Sequence, residues 1–496
     1  MTVPPSQREV AAFLARLAGA APVETHISLV FLGATTAWKL KKAVRLSFLD
    51  FTAVAARRHF AERELVLNAP AAPGLYRDVV PVLRGADGSL RFGTATEAPA
   101  AIEWVLRMAR VPASDFLDRI AVAGGLGPTL LDATADAVAA WHARAPRRAV
   151  ADPGAEMQRI AAGNAVAARE AGLDPVVVAA WEGTVMTTLR TLSPWLARRA
   201  RAGFLRRAHG DLHLGNLCLW EGKPVTFDAL EFDEALASID LGYDLAFLLM
   251  DLDRRAGRGA ANRVMNRYVA RTGDADLVAG LPAFLSLRAM VRAHVAARSA
   301  QPAEAAACLA AATAYLRPAV PVAVAIGGLQ GSGKSTLARA LAPELGRAPG
   351  ALILRSDEIR KRLHGVAPEV RLPPEAYSDA ASRRVFRSLA AAAKRALRSG
   401  QAVIADATFL APAHRRALAR AAGSAPFVGL WLEAAPALLE RRIAARAGDA
   451  SDATITVLRA SAVHARMPRR WRRIPADTEA AAQAAARAAL GLPPHG

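Results

Sequence analysis

The spacing of apolar residues changes along the chain, and these changes divide it into predicted elements. An S/T-x-x-E pattern at 6–9 predicts a capping box that opens an amphipathic helix ending at Gly19. Alternating apolar and polar positions then predict strands, and a helical spacing predicts one helix between them. The strands are expected at 26–32, 37–44, 78–84 and 102–108, and the helix at 57–67. These elements predict a small mixed lobe over about residues 20–108.

The pattern is mostly helical from 112 to 200, becomes a compact loop and strand region at 204–232, and is helical again from 240 to 316. We therefore expect a large lobe at about 109–316, which completes a first domain at 1–316. The Pro-containing segment 317–321 is the expected linker. After it, strands at 322–326, 351–355, 402–406 and 426–432 alternate with helices, which indicates a parallel sheet in an α/β domain at 322–496.

Charge and composition narrow the class of protein only slightly. The 496 residues carry 64 Lys and Arg against 44 Asp and Glu, for a net charge of +20. A basic balance can indicate a nucleic-acid partner, but the arginines are scattered through every segment, so a general compositional bias explains them better. Lysine is rare, with seven in the chain, and three of them fall at 39, 41 and 42. Where Arg is the usual cation, a Lys can mark a site that needs a compact charge.

Two cysteines, Cys218 and Cys308, have no disulfide or metal-binding spacing, which fits a reducing compartment. The N-terminal residues lack a signal-peptide pattern, and no apolar run approaches the ~20 residues that span a bilayer. From these features we expect a cytoplasmic protein without a membrane partner. The oligomeric state is not encoded in any pattern that we recognise.

A complete G-x-x-x-x-G-K-[ST] motif, GLQGSGKS, occupies residues 328–335 between a predicted strand and a predicted helix. Glycines allow the backbone N–H groups to face phosphate oxygens, and the helix N-terminus adds positive potential. Lys334 is expected to reach the β- and γ-phosphates of ATP, and the Ser335 hydroxyl to hold Mg²⁺. The remaining residues expected to contact nucleotide are Gly328, Gly331, Ser332, Gly333 and Thr336.

A second motif, HGDLHLGN, lies at 209–216, and an apolar residue with Asp228 follows eleven residues later. This segment resembles the catalytic core of aminoglycoside phosphotransferases and choline kinases, relatives of the protein kinases. The resemblance implies that Asp211 accepts the proton of the substrate hydroxyl, and that Asn216 and Asp228 hold Mg²⁺. Phosphoryl transfer itself requires metal ligands and an oriented nucleophile, which agrees with these residue types.

In the kinase pattern, a strand lysine pairs with a helix glutamate and contacts the α- and β-phosphates. Lys39 and Lys41 share one face of a predicted strand, and Glu64 is the preferred partner, with Glu62 second. A solvated basic strand is the alternative. The segment 103–108 is a candidate hinge whose backbone would hold adenine. No G-x-G-x-x-G precedes the lysine strand, which leaves open a lobe that binds nucleotide poorly or serves regulation.

The resemblance extends further. Residues 25–28, the Lys39–Lys42 strand and the segment 239–251 are similar to a bacterial fusion family. Its members join an aminoglycoside phosphotransferase-like domain to a C-terminal P-loop kinase domain of the AAA type. The resemblance implies an α+β protein-kinase-like bilobal domain followed by an α/β P-loop domain with a parallel sheet. It also implies that Asp244 braces the catalytic loop, although an ordinary helix cap is the alternative.

In the C-terminal region, a D-x-x-R pattern places Asp357 and Arg360 after a predicted strand, at the sheet edge where ligands bind. Asp357 can accept the proton of an attacking hydroxyl and Arg360 can bind substrate or phosphate; a helix cap paired with an arginine is the alternative. Asp406 ends the next strand, as expected for a residue near Mg²⁺. Arg442 and Arg446 predict a lid that closes on the transferred phosphate, or simply a basic helix face.

These features predict an ATP-dependent kinase whose P-loop domain phosphorylates a hydroxyl of a small metabolite, with the N-terminal domain as a second phosphotransferase. Two alternatives stay open: an N-terminal module that senses nucleotide or substrate without catalysis, and a polynucleotide 5′-hydroxyl kinase. The chain shows no basic platform interleaved with aromatic residues, so nucleic acid is the less expected partner. The acceptor and any coupling between the two nucleotide sites have no recognisable signature.

Overall fold

A computed structural model describes residues 3–46, 49–445 and 450–493. The strands are β1 (Val23–Glu24), β2 (Ser28–Leu32), β3 (Thr36–Lys41), β4 (Arg45–Leu46), β5 (Leu49–Asp50), β6 (Tyr76–Arg84), β7 (Leu90–Phe92), β8 (Glu103–Ala109), β9 (Leu205–Arg207), β10 (Leu217–Trp220), β11 (Lys223–Thr226), β12 (Ser238–Asp240), β13 (Ala323–Gly328), β14 (Leu352–Arg355), β15 (Val403–Asp406), β16 (Phe427–Glu433) and β17 (Arg472–Pro475).

The α-helices are α1 (Arg8–Ala18), α2 (Val54–Asn68), α3 (Leu117–Val122), α4 (Pro128–Arg144), α5 (Pro153–Glu170), α6 (Pro175–Ala202), α7 (Glu234–Ala237), α8 (Leu241–Arg255), α9 (Arg258–Thr272), α10 (Leu281–Arg298), α11 (Pro302–Tyr315), α12 (Lys334–Leu341), α13 (Ser356–Leu363), α14 (Asp379–Arg398), α15 (Pro412–Ala422), α16 (Pro436–Ala444), α17 (Ile455–His464) and α18 (Glu479–Leu490). Several begin with proline in their first turn, where the missing N–H would be unpaired in any case.

Contacts group the chain into two compact units, which differ from the predicted domains. The first unit contains Met1–Ala151 and Arg198–Leu248, and the second contains Asp152–Ala197 and Leu249–Gly496. The second unit thus combines the helices of 249–316 with the C-terminal sheet across the predicted linker at 317–321. The domain bounds derived from the sequence stay a prediction.

The sheet of the first unit is antiparallel, in the order β1-β2-β3-β8-β6-β7. Helix α1 covers one face, where Leu14 packs into a core with Leu40 of β3 and Val105 of β8. Because side chains alternate along a strand, Lys39 and Lys41 point to the opposite face, as the sequence predicts. Helix α2 supplies their partner on that face, since Glu64 pairs with both lysines.

Two predictions for this unit are wrong. The helix α1 begins at Arg8 after a 3₁₀ turn, and its cap residue Gln7 makes no capping hydrogen bond, so the predicted capping box does not form. The buried Gln7 amide instead donates to Lys41 O and to Glu103 Oε2. The candidate hinge at 103–108 is the interior strand β8, whose backbone pairs with β3 and β6 and is therefore unavailable to adenine over 106–108.

The sheet of the second unit is parallel, in the order β14-β15-β13-β16-β17. Four of these strands match the predicted ones, and β17 is an addition at the edge. The central strand β13 is buried along its whole length, as expected for a strand covered on both faces. A core that includes Ile326, Leu341 and Ile404 joins the strands to helix α12. This topology and the antiparallel lobe of the first unit confirm the predicted fold class.

Helix α9 covers the exposed edge of the parallel sheet. Asn266 Oδ1 accepts a hydrogen bond from Ile353 N at 2.7 Å, and Asn262 Nδ2 donates to Ala351 O at 3.1 Å. A sheet edge carries backbone N–H and C=O groups that no neighbouring strand pairs, and the two asparagine side chains form hydrogen bonds with two of these groups. The helix therefore becomes part of the same compact unit as β14. Among the described residues, no helix combines the length and hydropathy needed to cross a membrane.

Candidate active sites

The first candidate site contains a buried network of two lysines and three carboxylates. Lys39 Nζ lies 2.7 Å from Glu64 Oε1 and 2.5 Å from Asp228 Oδ1. Lys41 Nζ lies 2.9 Å from Glu64 Oε2 and also pairs with Glu231. Glu64 therefore pairs with both of the lysines that the sequence gives as candidates. The second candidate, Glu62, pairs with Arg58 on the exposed side of α2.

Charge balance within this network sets the protonation of its members. Burial opposes the charge on Lys39, but Asp228 and Glu64 outweigh it and raise its pKa well above the ordinary value. Burial likewise opposes the charge on Glu64, and the two lysines reverse this and lower its pKa. Glu231 differs, since burial and the neighbouring Glu64 raise its pKa despite the contact with Lys41. The network therefore fixes Lys39 and Glu64 in their charged forms.

The HGDLHLGN segment brings Asp211 and Asn216 together. Asn216 Nδ2 donates to the Asp211 backbone carbonyl at 2.9 Å and to Asp211 Oδ2 at 3.0 Å. The Asp211 side chain is 43% exposed, so a substrate hydroxyl can reach it. His213 Nε2 lies 3.5 Å from Asp211 Oδ2, and its Nδ1 accepts a hydrogen bond from Gly215 N. His213 therefore contacts the proposed base, a placement that the sequence did not indicate.

The Asp244 carboxylate binds the first two residues of the HGDLHLGN segment. Its carboxylate is fully buried and accepts hydrogen bonds from His209 N at 3.0 Å, from Gly210 N at 2.9 Å and from His142 Nε2 at 3.0 Å. His209 donates from Nε2 to the carbonyl of Phe227 at 2.9 Å, and burial lowers its pKa. The hydrogen bond from this buried imidazole ties the start of the segment to the residue before Asp228.

Asp228 occupies a constrained backbone position. Its φ of 59° lies in the left-handed region that non-glycine residues rarely adopt, and its N–H donates to Tyr76 Oη at 3.0 Å. Such strain persists where the surroundings hold it, which is common at functional sites. The conformation directs the carboxylate to Lys39, and 40% of that side chain remains exposed.

The second candidate site surrounds the loop at 328–335, which precedes α12. Gly328, Gly331 and Gly333 all have positive φ, and a Cβ at Gly328 would lie 2.6 Å from Leu432 O. Glycine is therefore required there by both conformation and space. Lys334 Nζ donates to the carbonyl of Leu329 at 2.7 Å, across the loop that the lysine closes. Gly331, Ser332 and Thr336 line a cavity beside this loop.

Ser335 and Asp406 meet at the end of the central strands. Ser335 Oγ donates to Asp406 Oδ2 at 2.6 Å, and Arg355 Nε lies 3.2 Å from the same oxygen. Arg355 also binds Glu358 Oε1 at 3.0 Å. Arg355 was not predicted from the sequence. This residue ends β14 directly before Ser356 and Asp357, at the sheet edge where ligands bind.

Asp357 and Arg360 both line a cavity of about 780 Å³ that contains the phosphate loop. Burial raises the pKa of Asp357, with Asp406 adding to it, while Arg355 and Lys334 oppose the shift. A raised pKa suits a carboxylate that takes a proton during the reaction. The Arg360 guanidinium is buried; it donates to Ala376 O at 2.6 Å and lies 4.7 Å above the Tyr377 ring.

Residues of the predicted lid region also line this cavity. Arg442 lines it and donates to Ala476 O at 2.8 Å. Arg446, the second predicted lid arginine, lies outside the described residues. Asp452 contributes a further group that the sequence analysis overlooked, since it binds Lys361 Nζ at 2.6 Å and Tyr377 Oη at 2.5 Å. The cavity wall therefore carries charged groups from both ends of the domain sequence.

The oxygen donors at both sites fit Mg²⁺. This ion takes one or two protein ligands and otherwise keeps waters and substrate phosphates. Asn216 and Asp228 offer an amide and a carboxylate oxygen, and Ser335 and Asp406 offer a hydroxyl and a carboxylate oxygen. Within the described residues, no group of three or more His, Cys, Asp or Glu side chains forms a metal-binding cluster. This donor set suits a metal shared with nucleotide phosphates.

Comparison with known proteins yields relatives over most of the chain and a family model for its C-terminal region. A family model described as an AAA domain matches residues 324–469. The uncharacterized protein Rv2004c of Mycobacterium tuberculosis is 30% identical over 458 residues, which covers 88% of this chain and 89% of the relative. The uncharacterized protein Mb2027c of Mycobacterium bovis matches with the same identity and coverage.

Solved structures with similarity to parts of the chain include an aminoglycoside phosphotransferase and a gluconokinase. The aminoglycoside phosphotransferase APH(4)-Ia is 14% identical, covers 62% of this chain and 98% of its own, and gives a TM-score of 0.38 in its apo thermostable form. A gluconokinase from Sinorhizobium meliloti 1021 is 22% identical, covers 35% of this chain and 94% of its own, and gives a TM-score of 0.26.

Proposed function

The chain belongs to the family of the mycobacterial protein Rv2004c and contains an AAA domain at residues 324–469, and from this premise we propose an ATP-dependent phosphotransferase. The C-terminal domain transfers the γ-phosphate of ATP to a hydroxyl of a small metabolite. The observation that carries this proposal is one cavity that contains the phosphate loop, the Ser335–Asp406 pair and Asp357.

The proposed reaction forms one bond and breaks one. The acceptor oxygen bonds to the γ-phosphorus of ATP, the bond from that phosphorus to the bridging oxygen breaks, and ADP leaves. Asp357 takes the hydroxyl proton, which its raised pKa favours. Lys334 exchanges the Leu329 carbonyl for phosphate oxygens and offsets their charge. Ser335 and Asp406 would hold Mg²⁺, which neutralises charge on the phosphates when bound.

For the first unit we propose a second phosphotransferase activity. Asp211 is accessible and held by Asn216, and this arrangement supports a base that accepts a hydroxyl proton. Lys39, fixed by Glu64, supports a contact with nucleotide phosphates. Asn216 and Asp228 would hold Mg²⁺ there. The alternative, a sensor without catalysis, keeps nucleotide binding but has no use for Asp211.

The experiment that tests these proposals measures ATP consumption against sugars, polyols, aminoglycosides and 5′-hydroxyl oligonucleotides. Wild type, Lys334→Ala and Asp211→Ala are compared, with Lys394→Ala as a control because Lys394 is an exposed lysine outside the cavity. We expect one acceptor to stimulate ATP turnover. Lys334→Ala should lower this stimulated turnover at least about a hundredfold. Near-normal turnover of Lys334→Ala would refute the C-terminal assignment.

Asp211→Ala separates the two roles of the first unit. If the unit is catalytic, a second acceptor loses its phosphorylation in this variant while ATP binding persists. If Asp211→Ala changes no turnover with any acceptor that wild type accepts, the sensor alternative replaces the second-kinase proposal.

A further inference from the structure

A second cavity lies in the first unit, away from the residues assigned above, with a volume of about 670 Å³. Helix α2 with the residues after it forms one wall through residues 59–70, and the end of α4 with the residues after it forms another through 141–148. The size matches that of small-molecule sites, which are mostly apolar with a few polar groups. Val66, Leu67, Pro70, Trp141 and Pro146 supply the apolar lining.

The polar lining is rich in arginine. Arg63, Arg148 and Arg207 all converge on Glu234: Arg148 Nη2 lies 2.7 Å and Arg207 Nε 3.1 Å from its carboxylate, and Arg63 pairs with it as well. Arg144 lines the cavity too. Burial and the proximity of Arg63 lower the pKa of Arg207 to about 10, as expected where cations outnumber anions.

Two donors in this cavity lack an acceptor. Trp141 is 9% exposed, lines the cavity, and its buried indole Nε1 has no hydrogen-bond partner. The Nε of Arg63 is also buried without a partner. Buried donors are nearly always satisfied in folded proteins, so orphan donors in a roomy site indicate an absent acceptor. The Glu234 carboxylate pairs with three guanidiniums and does not accept from the indole.

We propose that this cavity binds a small organic anion, with its carboxylate or phosphate among the arginines and its apolar body against Val66, Leu67 and Trp141. Arginine forks recognise such anions through paired hydrogen bonds. The site has contact with the catalytic elements on two sides. Arg63 precedes Glu64 in α2, and the Trp141 ring lies 5.5 Å from the ring of His209, the first residue of the HGDLHLGN segment.

The test uses 2-naphthoate as the probe and 2-naphthamide as its uncharged counterpart, measured by titration calorimetry on the full chain with saturating ATP. ATP occupies the phosphate-binding sites, so an anion there does not contribute. We expect saturable naphthoate binding and at least about tenfold weaker naphthamide binding. Equal affinity for the two probes, or no naphthoate binding, would overturn the proposal.

Variants locate the binding. Arg148→Ala should weaken naphthoate about tenfold, whereas Arg84→Ala, which removes an exposed arginine paired with Glu9 outside the cavity, should not. Glu234→Gln should tighten binding, because the resident carboxylate no longer competes for the arginines. Trp141→Phe keeps an aromatic side chain, although a smaller one, and removes the N–H, and should weaken binding a few-fold. If naphthoate binding is unchanged in Arg148→Ala and in Glu234→Gln, the probe binds elsewhere and the proposal fails.

Discussion

The two lysines of the buried network should respond differently to replacement by methionine. Lys41→Met should mainly lower stability, whereas Lys39→Met should mainly lower nucleotide affinity. The Lys41 side chain is 2% exposed and contacts Glu64 and Glu231, which are 0% and 5% exposed. Removing one partner of a buried pair costs about 3–5 kcal/mol, because a charge is left without compensation. Burial already raises the pKa of Glu231, so this residue takes up a proton readily, and we expect Lys41→Met to lower the free energy of unfolding by about 3 kcal/mol.

Lys39→Met should be much milder for folding. Glu64 keeps Lys41 as a partner, and water can solvate Asp228, whose side chain is 40% exposed. The lost pair is then worth about 1 kcal/mol, as for partly exposed ion pairs. For a unit of roughly 200 residues, about 2–4 °C of melting temperature corresponds to each kcal/mol. Lys41→Met should therefore melt about 6–12 °C below wild type, and Lys39→Met about 2–4 °C below it.

Calorimetric melting of the full chain at neutral pH gives the comparison, with Lys223→Met as a control because Lys223 is an exposed lysine of the same unit. The deficit of Lys41→Met should shrink as pH falls, since the carboxylates left without a cation become protonated. Lys39→Met, not Lys41→Met, should lose ATP affinity in the first unit. Equal melting temperatures for the two variants would refute this account of the network.

Three further substitutions test other parts of the molecule. Asp357→Asn should abolish phosphoryl transfer by the C-terminal domain yet raise its melting temperature. The gain over wild type should grow with pH, because the raised pKa of Asp357 means that wild-type stability falls as this carboxyl ionises. Asp244→Asn should lower turnover and cost about 2–3 kcal/mol, since an amide cannot accept at all the positions where the carboxylate does; urea unfolding measures this. Asn266→Ala leaves Ile353 N without its acceptor and should cost about 1–3 kcal/mol in the same assay, whereas Asn164→Ala, which removes an amide nitrogen without a partner, should cost less.

Local sequence predicted those parts of the sites that lie within short motifs. The phosphate loop and the HGDLHLGN segment are continuous, and the conformation that each requires is encoded by neighbouring glycines and helix starts. The shared face of Lys39 and Lys41 followed from the period of a strand, which holds wherever β3 is placed in the sheet. The predicted roles of these residues in catalysis stay predictions.

Residues whose environment arises from distant segments could not be found in this way. Glu231 meets Lys41 across 190 positions of sequence, and no local pattern marks it. Residues 6–9 fit a capping pattern locally, but the buried contacts of Gln7 with Lys41 and Glu103 decide the conformation instead. Strand β17 escaped prediction because its four residues include two arginines and a proline, and its pairing with β16 creates the strand. In each case tertiary contacts override local propensity.

The two lysines expected to bind phosphate start from different states, and this difference ranks the two sites. Lys334 donates to the neutral carbonyl of Leu329 and interacts electrostatically with Asp357; a phosphate oxygen can replace the carbonyl with a gain in charge compensation. Lys39 is held by two carboxylates that raise its pKa well above the ordinary value, so a phosphate must compete with Asp228 for it. We therefore expect ATP to bind the C-terminal domain more tightly. Calorimetric titration of Lys334→Ala and of Lys39→Met isolates each site, and a higher affinity at the site that survives in Lys334→Ala would contradict this order.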